Sequence, residues 1–372
     1  MNPKTITFFC LLLFVFAGLS FSYARTEKPQ VQLAILLDTS NSMDGLIEQA
    51  KTQLWKIVNE LALSRQNSQP IELNVALYEY GKSSIPANEG HLRMISSLTT
   101  DLDKISEELF KLTTNGGDEY CGQVIESAVN ALQWRPDKNQ LKIIFIAGNE
   151  PFTQGQIDYK ASCRKAIEKG IIVNTIFCGD YDKGVATSWK DGADLADGKY
   201  MNIDQNQELV HIEAPQDTIL ARLGRELNQT YIAYGSRGKE LKERQEAQDH
   251  NAMMLSAPVM AQRSVAKASG QYKNTSWDLI DAENEGAVAI EELDAKELPE
   301  EMRDMNGKER KAYIEKKANE RKRIQEQINQ LNKERRKYVA EQMTKLPDNT
   351  LDAVMIQAIR EQAEKKNYQF EN

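Results

Sequence analysis

The chain has 372 residues, of which 41% are hydrophobic and 27% charged, and its formal net charge is −8. This length fits two domains, or one domain with a long extension, and the acidic balance argues against nucleic acid as a partner. Four cysteines and three histidines, without the close spacing that zinc ligands use, argue against a zinc site.

The first 24 residues are typical of a secretory signal peptide. Lys4 precedes a nearly unbroken apolar segment at 6–19, and Ser22-Tyr23-Ala24 provides the small residues of a cleavage site. The alternative is an uncleaved membrane anchor, although the apolar segment is short for a span. No later segment is long and apolar enough to cross a membrane. We therefore expect a periplasmic or secreted protein.

An apolar run at 31–37 ends abruptly in a polar loop. Such a run is typical of a buried strand in a parallel sheet that is covered on both faces. The loop places one carboxylate and two hydroxyls at alternate positions, Asp38, Ser40 and Ser42, before a helical pattern begins at about residue 44. Oxygen ligands of this kind suit a hard divalent cation. Alternatively, Asp38 and Ser40 only cap the following helix.

Helical and strand patterns alternate from there to residue 203. Helices are predicted at 45–64, 101–112, 123–134, 157–169 and 189–196, and strands at 71–80, 91–98, 141–147, 171–177 and 199–203. This order predicts an α/β fold with a doubly wound, mostly parallel, Rossmann-like sheet, in which 91–98 is an edge strand. The loops at 38–42, 113–122 and 148–150 are then expected at the same end of the sheet.

The segment from about residue 30 to 203 resembles a von Willebrand factor A domain. The sequence LLDTSNSM at 36–43 matches that family's metal-ion-dependent adhesion site. In the family, the two serines of this loop ligate a divalent cation, the aspartate contributes directly or through water, and the open metal position takes a partner's carboxylate. The resemblance implies that Asp38, Ser40 and Ser42 bind Mg²⁺, or Ca²⁺ or Mn²⁺.

The second and third loops depart from the family pattern. The family's Gly-Gly-Thr is Gly116-Gly117-Asp118 here, which implies Asp118 as the fourth ligand, with Thr114 as the alternative. Where the family has Thr-Asp-Gly, this chain has Ala147-Gly148-Asn149, so the nearest carboxylate is Glu150. The loops then either bind metal in a modified geometry or keep the fold without metal.

Polar, helical sequence follows the sheet domain. Helices are expected at about 219–227, 238–254, 303–345 and 351–364, an extended segment is expected at 230–235, and residues 262–276 have no clear pattern. The apolar segment 277–282 is interpreted as a tether that packs on the main core. The predicted divisions are a signal peptide at 1–24, a sheet domain at 25–210, a mixed helical connection at 211–300 and a basic helical extension at 301–372.

The helix at 303–345 is basic, with 14 Lys and Arg against 7 Asp and Glu. Its apolar positions form one thin stripe with too few heptads for a coiled coil. The positions around Lys317, Arg321 and Arg335 are charged. Such a helix docks on the acidic body of the same chain, or it offers a surface to a partner such as an anionic envelope component.

The predicted mature chain keeps Cys121, Cys163 and Cys178. In an oxidising compartment we expect a disulfide between Cys163 and Cys178, because both are predicted near one edge of the sheet. The alternative is three buried thiols that act as small hydrophobes.

Enzyme motifs are missing from the sequence. It has no Gly-x-Ser-x-Gly turn, no Walker loop and no Gly-x-Gly-x-x-Gly after the first strand. A Cys121 nucleophile needs a histidine base, and His91 is the one candidate in the sheet domain. The favoured interpretation is a binding protein, not an enzyme, that engages an acidic side chain of a protein partner through its cation. The rivals are a metal-free scaffold of the cell envelope and a metal-dependent hydrolase. The sequence identifies neither the partner nor the oligomeric state.

Overall fold

The structure is a computed structural model that describes residues 28–203, 212–343 and 351–370. The predicted signal peptide lies outside the described residues. Among the helices that are described, none is both long and apolar enough to cross a membrane.

A six-stranded sheet forms the centre of the molecule. The described strands are β1 (Gln30–Asp38), β2 (Ser64–Gln66), β3 (Gln69–Pro70), β4 (Glu72–Tyr80), β5 (Leu92–Thr99), β6 (Leu141–Gly148), β7 (Ile171–Cys178), β8 (Tyr200–Ile203) and β9 (Tyr368–Phe370). The main sheet has the order β5-β4-β1-β6-β7-β8, and β3-β2-β9 form a small second sheet. In the main sheet only the edge strand β5 is antiparallel to its neighbour, which confirms the predicted doubly wound α/β fold.

Helices cover both faces of this sheet. The described helices are α1 (Asp44–Ala62), α2 (Leu102–Lys111), α3 (Cys121–Ala131), α4 (Tyr159–Glu168), α5 (Tyr181–Ala186), α6 (Trp189–Asp194), α7 (Asp217–Asn228), α8 (Gly238–Leu255), α9 (Ala257–Ala268), α10 (Leu279–Asn284), α11 (Gly307–Met343) and α12 (Leu351–Glu364). One apolar core joins the sheet to α3, α4 and α6. The other core joins the opposite face to α1, α2 and helices from the C-terminal half. Because both faces are covered, β6 and β7 are buried along their whole length.

The segment 262–276, which has no clear pattern in the sequence, contains much of α9. This helix packs on α1, α7 and α8. Its polar residues Arg263 and Lys267 are fully buried. Arg263 binds Asp103 at 2.8 Å and Asp249 at 2.6 Å, and Lys267 binds Asp249 at 2.7 Å. The hydrophobic pattern of the sequence does not indicate this helix, because part of its buried face consists of charged residues.

The basic helix α11 docks on the body of its own chain. Arg321 lies against Asp278 and Asp281, at 2.7 Å and 3.1 Å, and Arg335 lies 2.5 Å from Asp217. Arg321 and Arg335 are both buried, so these charges form the contact between α11 and the acidic body. This arrangement matches the first of the two roles that the sequence leaves open for the helix.

The last described elements, α12 and β9, close the sheet domain. Gln362 of α12 exchanges two side-chain hydrogen bonds with Asn174 of β7, at 3.1 Å and 2.7 Å. Tyr368 of β9 donates through its hydroxyl to the carbonyl of Gln30 at 2.9 Å and accepts from the amide of Leu141 at 3.2 Å. The segment 351–370 is thus part of the core around β1, β6 and β7.

The expected disulfide between Cys163 and Cys178 is wrong. Cys121, Cys163 and Cys178 are buried free thiols. Cys163 on α4 lies in the core on one face of the sheet, whereas Cys178 at the end of β7 lies in the core on the other face. The sheet therefore separates the two sulfur atoms, and the alternative of three small hydrophobes is confirmed.

Two carboxyls that share Arg321 predict a pH dependence of stability. Burial, together with the charge of Asp278, raises the pKa of Asp281 from 3.8 to about 6, and Arg321 offsets this only in part. The folded chain therefore binds more protons than the unfolded chain between about pH 4 and pH 6, so this carboxyl lowers the free energy of unfolding as pH rises through that window. In Asp281→Asn we expect this pH-dependent contribution to the free energy of unfolding, on the order of 3 kcal/mol, to vanish.

Urea unfolding at several pH values between 4 and 7 measures this effect. The slope of unfolding free energy against pH should be more positive in Asp281→Asn than in the wild type. Asp304→Asn is the control because Asp304 is exposed. Equal slopes in Asp281→Asn and the wild type would contradict the prediction.

Candidate metal centre

Three loops meet at the carboxyl end of the sheet, as the alternation of strands and helices predicts. The amide of Thr39 donates to the carbonyl of Tyr80 at 2.8 Å, which joins the ends of β1 and β4. The amide of Asn115 donates to the carbonyl of Thr39 at 2.9 Å and brings in the second loop. The amide of Glu150, in the third loop after β6, donates to Glu119 Oε2 at 3.3 Å and so joins the third loop to the second.

Asp38 is the buried centre of these loops. It is 0% exposed, and its Oδ1 accepts from the amide of Ser40 at 2.7 Å. Its Oδ2 is buried without a hydrogen-bond partner among the described residues. The hydroxyls of Ser40 and Ser42 lie 3.4 Å apart. Burial and the neighbouring Glu119 carboxylate hold the pKa of Asp38 well above its usual range. The site thus contains a buried carboxyl oxygen to which no described residue donates a hydrogen bond.

Helix capping does not explain Asp38 and Ser40. The residue that precedes α1 is Met43, and it makes no side-chain cap hydrogen bond. Ser40 precedes a single turn of 3-10 helix at Asn41–Met43, also without a side-chain cap bond. The alternative interpretation of this loop as a helix cap is therefore wrong.

The second carboxylate beside Asp38 belongs to Glu119. A Cβ added to Gly81 would lie 2.6 Å from Asp38 Oδ1 and 2.8 Å from Glu119 Cγ, so both side chains border the same glycine. Glu119 is only 3% exposed, and burial raises its pKa. Asp118 is exposed and accepts a hydrogen bond from Tyr120 at 3.0 Å. Glu119 has no motif signal of its own, because a one-residue shift in this irregular loop decides which side chain turns inward.

The two other predicted metal ligands, Thr114 and Glu150, lie at the rim of the site formed by the three loops. Thr114 donates to Asp44, at the start of α1. Glu150 is exposed, and its carbonyl accepts from the indole nitrogen of Trp189 at 2.8 Å. The structure therefore brings together Asp38, Ser40 and Glu119, and it places Glu150 and Thr114 around them.

Tyr80 fills the space of the aspartate that is missing at position 148. A Cβ on Gly148 would lie 2.5 Å from the Tyr80 hydroxyl, and 3.2 Å from both Asp38 Oδ2 and Trp189 Cη2. The fully buried Tyr80 donates to the carbonyl of Ala147 at 2.8 Å, and burial raises its pKa well above its usual value. Glycine is therefore the residue that fits at 148.

Cys121 is unsuited to nucleophilic chemistry. It is fully buried, and its sulfur lies 3.9 Å from the Tyr80 hydroxyl. Burial raises the pKa of this thiol well above its usual value, which disfavours the reactive thiolate. His91 Nδ1 lies 2.8 Å from the carbonyl of Ile85, so one ring nitrogen is already engaged.

Comparison with known proteins agrees with this geometry. A family model described as von Willebrand factor type A domain matches residues 32–205. These residues form a von Willebrand factor type A (VWA) domain. A comparison with curated protein sequences gives no match.

Solved structures similar to about half of the chain include the following three. The SpRpn10 VWA domain has 18% identity and a TM-score of 0.36, over 48% of this chain and 90% of that one. BatB from Bacteroides thetaiotaomicron has 18% identity and a TM-score of 0.35, over 47% and 90%. An aerotolerance-related membrane protein from Bacteroides fragilis has 17% identity and a TM-score of 0.32, over 47% and 92%.

The donor atoms at this end of the VWA domain suit one hard cation. Carboxylate and hydroxyl oxygens are ligands that Mg²⁺ and Ca²⁺ accept. Within the ranges that the structure describes, no group of three or more His, Cys, Asp or Glu side chains is placed to hold a metal ion. A cation at Asp38 and Glu119 therefore also needs neutral oxygen ligands such as the Ser40 and Ser42 hydroxyls.

Proposed function

We propose that this VWA domain binds a protein partner through a divalent cation, Mg²⁺ or alternatively Ca²⁺ or Mn²⁺. Asp38, Ser40 and Ser42 hold the cation, and Glu119 adds the second carboxylate. The observation that carries the proposal is Asp38 Oδ2, a buried carboxylate oxygen without a partner among the described residues. Leaving such a group unpaired is costly, and a cation removes that cost.

The acidic side chains of the site determine when an acidic partner can bind. When bound, the cation offers an open position to a carboxylate of the partner. Asp118 and Glu150 lie exposed at the rim, and with the buried Asp38 and Glu119 they make this end of the domain acidic. An acidic partner is repelled by these charges until the cation neutralises them, so recognition depends on the metal. From the predicted signal peptide, we place this interaction in the periplasm or outside the cell.

Isothermal titration of the mature full chain with Mg²⁺, Mn²⁺ and Ca²⁺ tests the proposal. We expect one ion to bind to the wild type, and Asp38→Asn to lose at least on the order of 100-fold in affinity because a buried charged ligand is removed. Asp118→Asn is the matched control, since it removes an exposed carboxylate from the rim. Failure of the wild type to bind, or equal affinity in Asp38→Asn, would refute the cation site.

Partner capture from an envelope extract completes the test. We expect capture by the wild type to be lost in EDTA and in Asp38→Asn. Capture that is unchanged by EDTA would instead favour a metal-free scaffold.

A further inference from the structure

The third loop of the site carries its polar side chain one residue later than the VWA pattern. The pattern Thr-Asp-Gly is Ala147-Gly148-Asn149 here, so an amide side chain stands where the family has glycine. Gly148 itself has no room for a side chain, because the Tyr80 hydroxyl would lie 2.5 Å from its Cβ. An oxygen ligand from this loop therefore has to come from another residue.

Asn149 lies against a predicted ligand. Its Nδ2 donates to Ser42 Oγ at 2.9 Å, which places the amide group beside the two serine hydroxyls. Its other amide atom, Oδ1, is buried and has no hydrogen-bond partner among the described residues. The loop that holds it is fixed by the hydrogen bond from Trp189 to the Glu150 carbonyl.

The site thus contains two buried, unpaired oxygens on different loops. Asp38 Oδ2 comes from the first loop and Asn149 Oδ1 from the third. An amide oxygen can only accept a hydrogen bond, so the partner that Asn149 Oδ1 needs is a donor or a cation. Side-chain amide oxygens are established ligands of hard cations. A single cation in contact with both atoms would satisfy both of them.

We infer that Asn149 Oδ1 is a ligand of the cation, in place of the aspartate that Gly148 lacks. This inference rests on the proposed cation site. A neutral amide replaces a charged ligand, so the negative charge at the ion comes from Asp38 and Glu119 alone. The site is then expected to gain affinity when Asn149 becomes acidic, and to lose it when the side chain is removed.

Terbium luminescence and calorimetry test the inference on the full chain. Trp189 lies next to the site, 3.2 Å from the Cβ position of Gly148, so its excitation is suited to sensitise bound Tb³⁺. We expect Asn149→Ala to weaken Tb³⁺ and Ca²⁺ binding by on the order of 10-fold. Asn149→Asp should tighten binding, most clearly at low ionic strength. Asn202→Ala is the control, because Asn202 lies near the carboxyl end of β8 and its side-chain amide donates to the carbonyl of Gly179.

Opposite effects of the alanine and aspartate variants distinguish a ligand from a residue that only holds Ser42 in place. Equal affinity in wild type, Asn149→Ala and Asn149→Asp would overturn the inference and leave the cation site standing. Weakening in both variants would also overturn it, since a structural hydrogen bond alone predicts that result. A wild type that binds no ion would overturn both proposals. Gly148→Asp is expected to give no gain in affinity, because Tyr80 occupies the space.

Discussion

Replacing Arg263 with methionine is expected to lower the free energy of unfolding by about 3–5 kcal/mol. The guanidinium is 0% exposed, binds Asp103 and Asp249, and donates to the carbonyl of Gln245 at 2.9 Å. It also lies over the ring of Trp55, 4.6 Å from the centroid. Methionine keeps much of the volume but leaves two buried carboxylates with only Lys267 to balance them. A buried charge without its partner is far more costly than a lost surface pair.

Urea denaturation followed by circular dichroism measures this change. The control is Arg222→Met, which removes an arginine that pairs with Glu226 at 3.0 Å on an exposed helix surface. Exposed pairs of this kind contribute little, so the control should unfold close to the wild type. If Arg263→Met also unfolded close to the wild type, the ionic cluster would not be what fixes α9 to α2 and α8.

Tyr368→Ala is the second substitution with a large expected effect, about 3–5 kcal/mol of unfolding free energy. The side chain is 2% exposed and lies in the same core as Val31 and Leu141. Its hydroxyl also bridges the backbones of β1 and β6 through Gln30 and Leu141. The substitution removes an aromatic ring together with its hydrogen bonds to a buried amide and a partly buried carbonyl, so packing and hydrogen bonding are lost together.

Gln369→Ala is the matched control for this prediction. Gln369 belongs to the same three-residue strand, β9, but its side chain is exposed. We expect it to unfold within about 0.5 kcal/mol of the wild type. Similar stability of Tyr368→Ala and Gln369→Ala in a urea titration would show that the C-terminal segment only rests on the domain. Because 351–370 completes the core, metal titrations belong on the full chain and not on a fragment that ends near residue 210.

The sheet domain is predictable because its signals are local and apolar. The runs that become β1, β6 and β7 are continuous, and the polar loops after them lie at one end of the sheet because parallel strands share a direction. The expected helix at 351–364 also matches α12 in both bounds.

Side-chain direction in the irregular loops is not predictable in this way. Asp118 and Glu119 are adjacent acids in a segment without periodicity, and only the tertiary contacts decide that Glu119 is buried. The role of Tyr80 at Gly148 depends on strands that are 67 residues apart in the chain. Hydrophobicity does not predict helix α9, because the buried Arg263 and Lys267 are indistinguishable from exposed residues in such a pattern.

The position of α12 and β9 also determines when the domain finishes folding. The hydrogen bond between Tyr368 and Gln30 spans 338 residues, and the pair of bonds between Gln362 and Asn174 spans 188. Contacts of such sequence separation close large loops, and folding rates fall as their share rises. During synthesis the face of the sheet under α12 stays uncovered until the end of the described chain has emerged. Ala358 and Ile359 of α12 thus join the apolar core last, and a chaperone that protects unfolded chains has a target in that core until they do.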